Sequence, residues 1–127
     1  MTTIPRILHL LIVEDNAIAL RMIESTVRRS GCTHVSAMSA EDGLGHLQSS
    51  RFDGVLTDIG LPGISGYEFC TLIRANWQIP VFGITAHLTP DSEASARASG
   101  MAQLLKKPFT LADMESLAER LNAGLHL

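Results

Sequence analysis

Short apolar runs alternate with segments of helical spacing along the whole of this 127-residue chain. The runs cover residues 7–13, 33–38, 52–57, 79–85 and 103–105, and each is followed by a segment with apolar residues three or four apart. Parallel strands need a crossover helix between them, so this alternation predicts a parallel sheet. Because such crossovers are right-handed, the helices cover both faces. We therefore predict a doubly wound α/β fold with five parallel strands.

The composition limits the kind of partner that this domain can have. Apolar residues make up 46% of the chain and charged residues 18%, which is enough for a sizeable core in one domain over residues 1–127. The net charge of −3 and the lack of a Lys/Arg run longer than two residues argue against direct nucleic-acid binding. No uninterrupted apolar run exceeds four residues, so we expect no membrane contact. Cys32 and Cys70 form no disulfide framework, which favours a reducing, cytoplasmic location.

Polar groups follow four of the predicted strands at the point where each strand ends. Glu14 and Asp15 follow the first strand, Asp58 ends the third, Thr85 the fourth, and Lys107 follows the fifth. Ligands of open α/β sheets bind at the carboxyl ends of the strands. Three carboxylates that converge there repel one another unless a cation joins them, and oxygen ligands favour Mg²⁺. The sequence therefore predicts an acidic magnesium site beside a hydroxyl and an ammonium group.

Each of these residues also has an ordinary structural interpretation. The three acids are also typical helix caps or turn residues, Thr85 is a common strand residue, and a loop residue such as Lys107 is usually solvated. Their placement at several strand ends of one sheet is what favours a functional site. The backbone carbonyl of Gly60, just after the third strand, is a further candidate oxygen ligand.

The motifs at these strand ends resemble those of the receiver domain of two-component signalling. They are IVEDN at 12–16, DIGLP at 58–62 with Gly66, ITA at 84–86 and KPF at 107–109. The resemblance extends from residue 7 to about residue 122. It implies a flavodoxin-like sheet with strand order 2-1-3-4-5. Because the chain begins and ends within a few residues of the first strand and the last helix, we expect a single receiver domain without an output domain.

The resemblance also implies a role for each site residue. Asp58 is the residue that a histidine kinase transmitter or a His-phosphotransfer domain would phosphorylate. Thr85 would hydrogen-bond a phosphoryl oxygen, and Lys107 would pair with it. The implied Mg²⁺ ligands are Glu14, Asp15, Asp58 and the carbonyl of Gly60. The domain would then be a signalling phosphoacceptor rather than an enzyme, with only slow loss of its own phosphoryl group and no small-molecule ligand beyond phosphoryl donors.

The EDN and GITAH sequences look most like those of receivers attached to hybrid sensor kinases. On that resemblance we expect a module from the cytoplasmic part of such a kinase, whose partner docks against the first helix at Ile18 and Met22. A stand-alone response regulator and a phosphorylation-independent pseudo-receiver are the alternatives. A haloacid-dehalogenase-like hydrolase would need Asp-x-Asp after the first strand, and a flavin-binding module would need a phosphate loop where Glu14 and Asp15 lie.

Leu104, Gly60 and His87 lie at positions where this chain differs from the common family pattern or where the family suggests a role beside the phosphoryl group. The family commonly has an aromatic residue three before the site Lys, where this chain has Leu104, so we predict a muted switch on the face of the fourth helix, fifth strand and fifth helix. Gly60 and His87 would flank the path of water to the phosphoryl group. The family also suggests a cis peptide bond between Lys107 and Pro108.

Overall fold

The computed structural model describes residues 6–124, in which five strands and five helices alternate. The strands are β1 (His9–Val13), β2 (Thr33–Ala37), β3 (Gly54–Asp58), β4 (Val81–Thr85) and β5 (Gln103–Lys106). The helices are α1 (Ala17–Arg29), α2 (Ala40–Ser49), α3 (Gly66–Asn76), α4 (Pro90–Ser99) and α5 (Leu111–Asn122). The strands thus begin up to two residues later than predicted, and Ile7, expected in the first strand, is 74% exposed.

All strand pairs are parallel, and the order is β2-β1-β3-β4-β5, which confirms the predicted topology. Val13 at the end of β1 pairs with Thr57, the residue before Asp58 in β3. Thr85 at the end of β4 pairs with Lys106 of β5. This register brings the carboxyl ends of β1, β3, β4 and β5 to one edge, hereafter the site edge.

Two hydrophobic clusters lie on opposite faces of the sheet. Leu10, Ile12 and Leu56 point into one cluster with α1 and α5, while Leu11 and Val55 point into the other with α2 and α3. All five side chains are at most 1% exposed. Burying such a side chain contributes roughly 1.5–3 kcal/mol, so the central strands are the rigid base of the site edge. The edge strand β2 is only partly buried, as its weaker pattern predicts.

The helices begin with side-chain caps. In α4 and α5, Thr89 and Thr110 form reciprocal capping boxes with Ser92 and Asp113, respectively. Helix α4 buries Ala96 but presents small or polar residues elsewhere, in agreement with its sequence. Its attachment to the domain therefore depends more on the hydrogen bonds at its start than on apolar contacts.

Charged side chains are sorted by the direction of the helices. Every helix starts at the site edge. Helices α2 to α5 carry acids in their first turns, where the partial positive charge of the helix start stabilises them. These acids are Glu41, Asp42, Glu68, Asp91, Glu93 and Asp113. The last turns, at the opposite edge, carry the basic residues Arg28, Arg29, His46, Arg74, Arg97 and Arg120. Within residues 6–124, no helix is both long and apolar enough to cross a membrane.

Candidate phosphoacceptor site

Three acids converge where β1 and β3 end. Glu14, Asp15 and Asp58 each place a carboxylate oxygen within 4.8 Å of the others. Glu14 is 1% exposed and Asp58 8%, whereas Asp15 faces solvent. The Glu14 backbone N–H donates to the carbonyl of Ala37 at 3.1 Å, and the Asn16 N–H donates to the Glu14 carboxylate at 3.2 Å. The turn after β1 therefore holds Glu14 inward, away from solvent.

Lys107 is the cation of this cluster. Its Nζ lies 3.0 Å from Asp58 Oδ1 and 3.1 Å from Glu14 Oε1. Its backbone N–H donates to the carbonyl of Thr85 at 2.8 Å, which ties the residue to the end of β4. The expected cis peptide bond between Lys107 and Pro108 is present. Residues separated by up to 93 positions in the chain thus form one ion-paired group.

The charges in this group are unevenly balanced. Burial raises the pKa of Glu14 above its ordinary value, and the Asp58 charge adds to this effect, although Asn16 and Lys107 oppose it. Burial lowers the pKa of Lys107, but hydrogen bonds and attraction to Asp58 and Glu14 outweigh it, so the pKa lies above its usual value. One ammonium group is shared by Glu14 and Asp58, while Asp15 adds a third carboxylate, so the site has an excess of negative charge.

This donor set fits a hard divalent cation. It contains carboxylate oxygens from Glu14, Asp15 and Asp58, and Mg²⁺ binds few protein carboxylates while keeping several waters. Gly60 is exposed beside them, and a Cβ there would lie 3.7 Å from Asp58 Oδ2. The absence of a side chain on Gly60 leaves the approach to that oxygen open.

The hydroxyl of Thr85 is turned toward its own loop in this structure. Its Oγ1 accepts a hydrogen bond from the His87 N–H at 3.2 Å and donates a long one to the His87 carbonyl at 3.4 Å. Thr85 lies one residue beyond Ile84, which pairs with Asp58 in the sheet. Among the described residues, no hydrogen bond joins the Thr85 hydroxyl to the three acids. The His87 side chain is exposed on the same loop. The predicted site residue is in the expected strand, but its side chain is not engaged with the acids.

Leu104 lies in β5, beside Gly83 of β4. It pairs with Gly83 in the sheet, and a Cβ added to Gly83 would meet Leu104, Ile59 and Met101 at 2.9, 2.8 and 2.7 Å. The partly buried Leu104 side chain therefore fills the space over the Gly83 backbone. Its predicted part in a muted switch stays a prediction.

Two contacts to the Asp58 backbone were not foreseen from the sequence. The fully buried Thr57 donates from its hydroxyl to the Asp58 carbonyl at 3.0 Å. A Cβ on Gly66 would lie 2.5 Å from that same carbonyl, so the start of α3 packs directly on it. A hydroxyl inside an otherwise apolar strand is the signal that could have identified Thr57.

The family model for the response regulator receiver domain matches residues 10–119. This chain belongs to the response regulator receiver domain family. It is therefore a receiver domain of two-component signalling, and its five-stranded sheet is the expected one for that family. The hydrolase and flavin-module alternatives do not account for this match.

Relatives of known name include sensor proteins and a transcriptional regulator. The chain is 34% identical to the virulence sensor protein BvgS of Bordetella pertussis, over 93% of its own length and 10% of that protein. It is 32% identical to the transcriptional regulatory protein YvrH of Bacillus subtilis, over 91% of its length and 48% of that protein. It therefore spans between a tenth and a half of these relatives.

A solved structure agrees with this assignment. The receiver domain of sensor histidine kinase PA1611 from Pseudomonas aeruginosa PAO1 superposes with a TM-score of 0.84 at 25% identity. The match covers 94% of this chain and the whole of that one, which contains a magnesium ion in its active-site cleft. The chain is thus similar to receivers of sensor kinases in both sequence and fold.

Proposed function

We propose that Asp58 accepts a phosphoryl group from a phosphohistidine of a partner protein. The observation that supports this most directly is the position of its carboxylate, 3.0 Å from Lys107 Nζ and among two further acids at the end of β3. A carboxylate held beside a cation at the end of a strand is available as a nucleophile.

We propose that the same acids bind Mg²⁺. The ligands would be Glu14, Asp15, Asp58 and the backbone carbonyl of Gly60. When bound, the ion would offset negative charge on the phosphoryl oxygens. The chemistry of the donor set and the magnesium ion in the PA1611 receiver support this proposal.

The transfer itself follows from the positions of the side chains. Asp58 Oδ2, which faces Gly60, attacks phosphorus in line with the histidine nitrogen. The new O–P bond forms as the N–P bond breaks, and the departing imidazole nitrogen keeps the electron pair. Lys107 neutralises charge on the phosphoryl oxygens, and the Thr85 hydroxyl then donates to one of them. Catalysis is therefore positioning and electrostatics, and we propose that the domain is a phosphoacceptor with only slow self-dephosphorylation.

We propose that the phosphoryl donor docks over α1. Ile18 and Met22 are 72% and 59% exposed, although both are large apolar residues. Beside them, an apolar cavity of about 280 Å³ is lined by Met22, Ile23 and Phe109, next to Lys107. A histidine kinase transmitter or His-phosphotransfer domain with an apolar helix face would cover this surface while presenting its histidine to Asp58.

The larger protein that contains this domain is proposed from its relatives and from its cysteines. We propose a module of a hybrid sensor kinase on the cytoplasmic side, supported by the similarity to BvgS and by the free thiols of Cys32 and Cys70. The second candidate is a stand-alone single-domain response regulator; YvrH does not support it, because the chain covers only 48% of that protein. The absence of a direct nucleic-acid contact stays a prediction.

Incubation with acetyl phosphate and Mg²⁺, followed by intact mass measurement, tests the proposed function. We expect one added phosphoryl group in the wild-type domain, and none in Asp58→Asn or after chelation of Mg²⁺. Lys106→Met serves as a control for loss of a neighbouring charge and should still be modified. If neither acetyl phosphate nor a phosphorylated histidine partner modifies the wild type, the domain is a pseudo-receiver.

A further inference from the structure

A chain of hydrogen bonds leads from the end of β4 to the start of α4. The Thr85 hydroxyl pairs with the backbone of His87, as described above, at 3.2 and 3.4 Å. The same His87 carbonyl lies 3.2 Å from the hydroxyl oxygen of Ser92, in the first turn of α4. Thr85 and Ser92 therefore meet on one backbone carbonyl.

Ser92 also belongs to two other hydrogen-bonded groups. Its Oγ accepts from the Thr89 N–H at 2.8 Å, while its own N–H donates to Thr89 Oγ1 at 3.1 Å. Its carbonyl accepts from the hydroxyl of Tyr67, on α3, at 3.4 Å. One residue thus joins the loop after β4, the start of α4 and the neighbouring helix.

The Ser92 hydroxyl has one proton but two carbonyl acceptors. The His87 carbonyl is at 3.2 Å and the Thr89 carbonyl at 3.0 Å, so a donation to one weakens the donation to the other. Ser92 therefore has two available hydrogen-bond arrangements. One ties the loop to α4, and the other lies entirely within the first turn of the helix.

From this geometry we infer that Ser92 is a positioning residue that holds the Thr85 hydroxyl through His87 and passes its release to the start of α4. We name the hydrogen bonds joining Thr85, His87 and Ser92 the Ser92 latch. The inference rests on the proposed function, in which Thr85 turns toward a phosphoryl group on Asp58.

The latch opens because the Thr85 hydroxyl has a single proton to donate. The phosphoryl group carries a charge of about −1.5 to −2, so a hydrogen bond to one of its oxygens is roughly twice as strong as one to a neutral carbonyl. Once Thr85 turns away, the His87 N–H loses its acceptor and the loop must find new partners. Ser92 then donates to Thr89 instead of His87. Since α4 buries little beyond Ala96, the start of this helix is free to follow the loop.

Titration with beryllofluoride in the presence of Mg²⁺ measures how strongly the latch opposes phosphoryl binding. Ser92→Ala removes the hydrogen bond to the His87 carbonyl, so it should tighten beryllofluoride binding by about twofold to tenfold. Ser92→Thr keeps the hydroxyl and should bind as the wild type does. Ser95→Ala removes an exposed hydroxyl from the same helix and should also leave the affinity unchanged.

Ser92→Asp separates the latch from the helix cap. Its carboxylate still accepts from the Thr89 N–H and suits the first turn of a helix, but it cannot donate to His87. We expect Ser92→Asp to bind beryllofluoride more tightly than Ser95→Asp, which places the same charge one turn along α4. In amide spectra, beryllofluoride should shift Tyr67 and the start of α4 in the wild type and much less in Ser92→Asp.

Two outcomes would overturn the inference, and they are distinguishable. If the Ser92 variants lose thermal stability but bind beryllofluoride like the matched Ser95 variants, Ser92 is a helix cap alone and only the latch fails. If the wild-type domain itself binds no beryllofluoride, the acceptor role of Asp58 fails and the latch fails with it.

Discussion

Replacing Lys107 with methionine removes the cation shared by two buried acids while nearly preserving side-chain length. Lys107 Nζ lies 3.0 Å from Asp58 and 3.1 Å from Glu14, and these acids place oxygens within 4.8 Å of each other. Without the ammonium group, their mutual repulsion is no longer offset. We therefore expect Lys107→Met to lower the free energy of unfolding at neutral pH when no divalent cation is present.

The magnitude follows from distance and exposure. Two unit charges 4.8 Å apart repel by about 3.5 kcal/mol at an effective dielectric constant of about 20. The Lys107 side chain is 32% exposed, so solvent already screens part of its contribution. We expect a loss of about 1–3 kcal/mol, below the roughly 3–5 kcal/mol of a fully buried broken pair. Mg²⁺ should reduce the loss, because it would bind the same carboxylates.

Urea unfolding in EDTA and in millimolar Mg²⁺ measures this effect. Lys106→Met, an exposed neighbour on β5, is the matched control for loss of one lysine. Adding Glu14→Gln to Lys107→Met should restore part of the stability, because it removes one of the two repelling charges. The reasoning is refuted if Lys107→Met is no less stable than Lys106→Met in EDTA, or if Mg²⁺ leaves the difference between them unchanged.

Three further predictions concern other residues. Gly60→Asn places a side chain beside Asp58 Oδ2 and should change the phospho-Asp58 lifetime; an unchanged decay of the phosphorylated mass would contradict this. Gly45 lies in open space within α2, so Gly45→Ala should raise the free energy of unfolding by about 0.5–1 kcal/mol. At Gly66 an added Cβ would lie 2.5 Å from backbone, so Gly66→Ala should lower the free energy of unfolding. Equal changes for the two variants in urea unfolding would refute the packing argument. Burial raises the pKa of Cys70 from 9.0, so its stabilising contribution is intact below about pH 9 and is lost as pH rises through the folded value. With rising alkaline pH, the free energy of unfolding should therefore fall less steeply in Cys70→Ala than in the wild type. Identical slopes would exclude the Cys70 thiol as a source of the pH dependence.

The acidic part of the site was predictable because it depends on backbone topology. Parallel strands end at one edge, so Glu14, Asp58 and Lys107 had to converge once their strands were recognised. The orientation of Thr85 was not predictable, because a hydroxyl rotates freely and its partner is chosen by a loop. The position of Ser92 in the latch was hidden for the same reason, since serine in a first helical turn is ordinary capping chemistry.

The muted switch was predicted for the face of α4, β5 and α5, whereas the latch predicts a response at the start of α4. The latch therefore restricts the muted switch to β5 and α5, around Leu104. Leu104 packs over Gly83 on the β5 side, whereas Ser92 lies at the start of α4. Beryllofluoride should therefore shift the amides near Ser92 while those around Leu104 change little. Large shifts around Leu104 would contradict the muted switch.

The sorting of acids to helix starts and basic residues to helix ends gives the domain an electric polarity that its net charge of −3 does not describe. An approaching partner experiences a torque as well as an attraction, which turns the site edge toward positively charged surfaces before contact. Phosphorylation of Asp58 would add negative charge at the same end and strengthen this polarity. The phosphoryl transfer would thus alter how the domain is oriented in its next encounter, even before any helix moves.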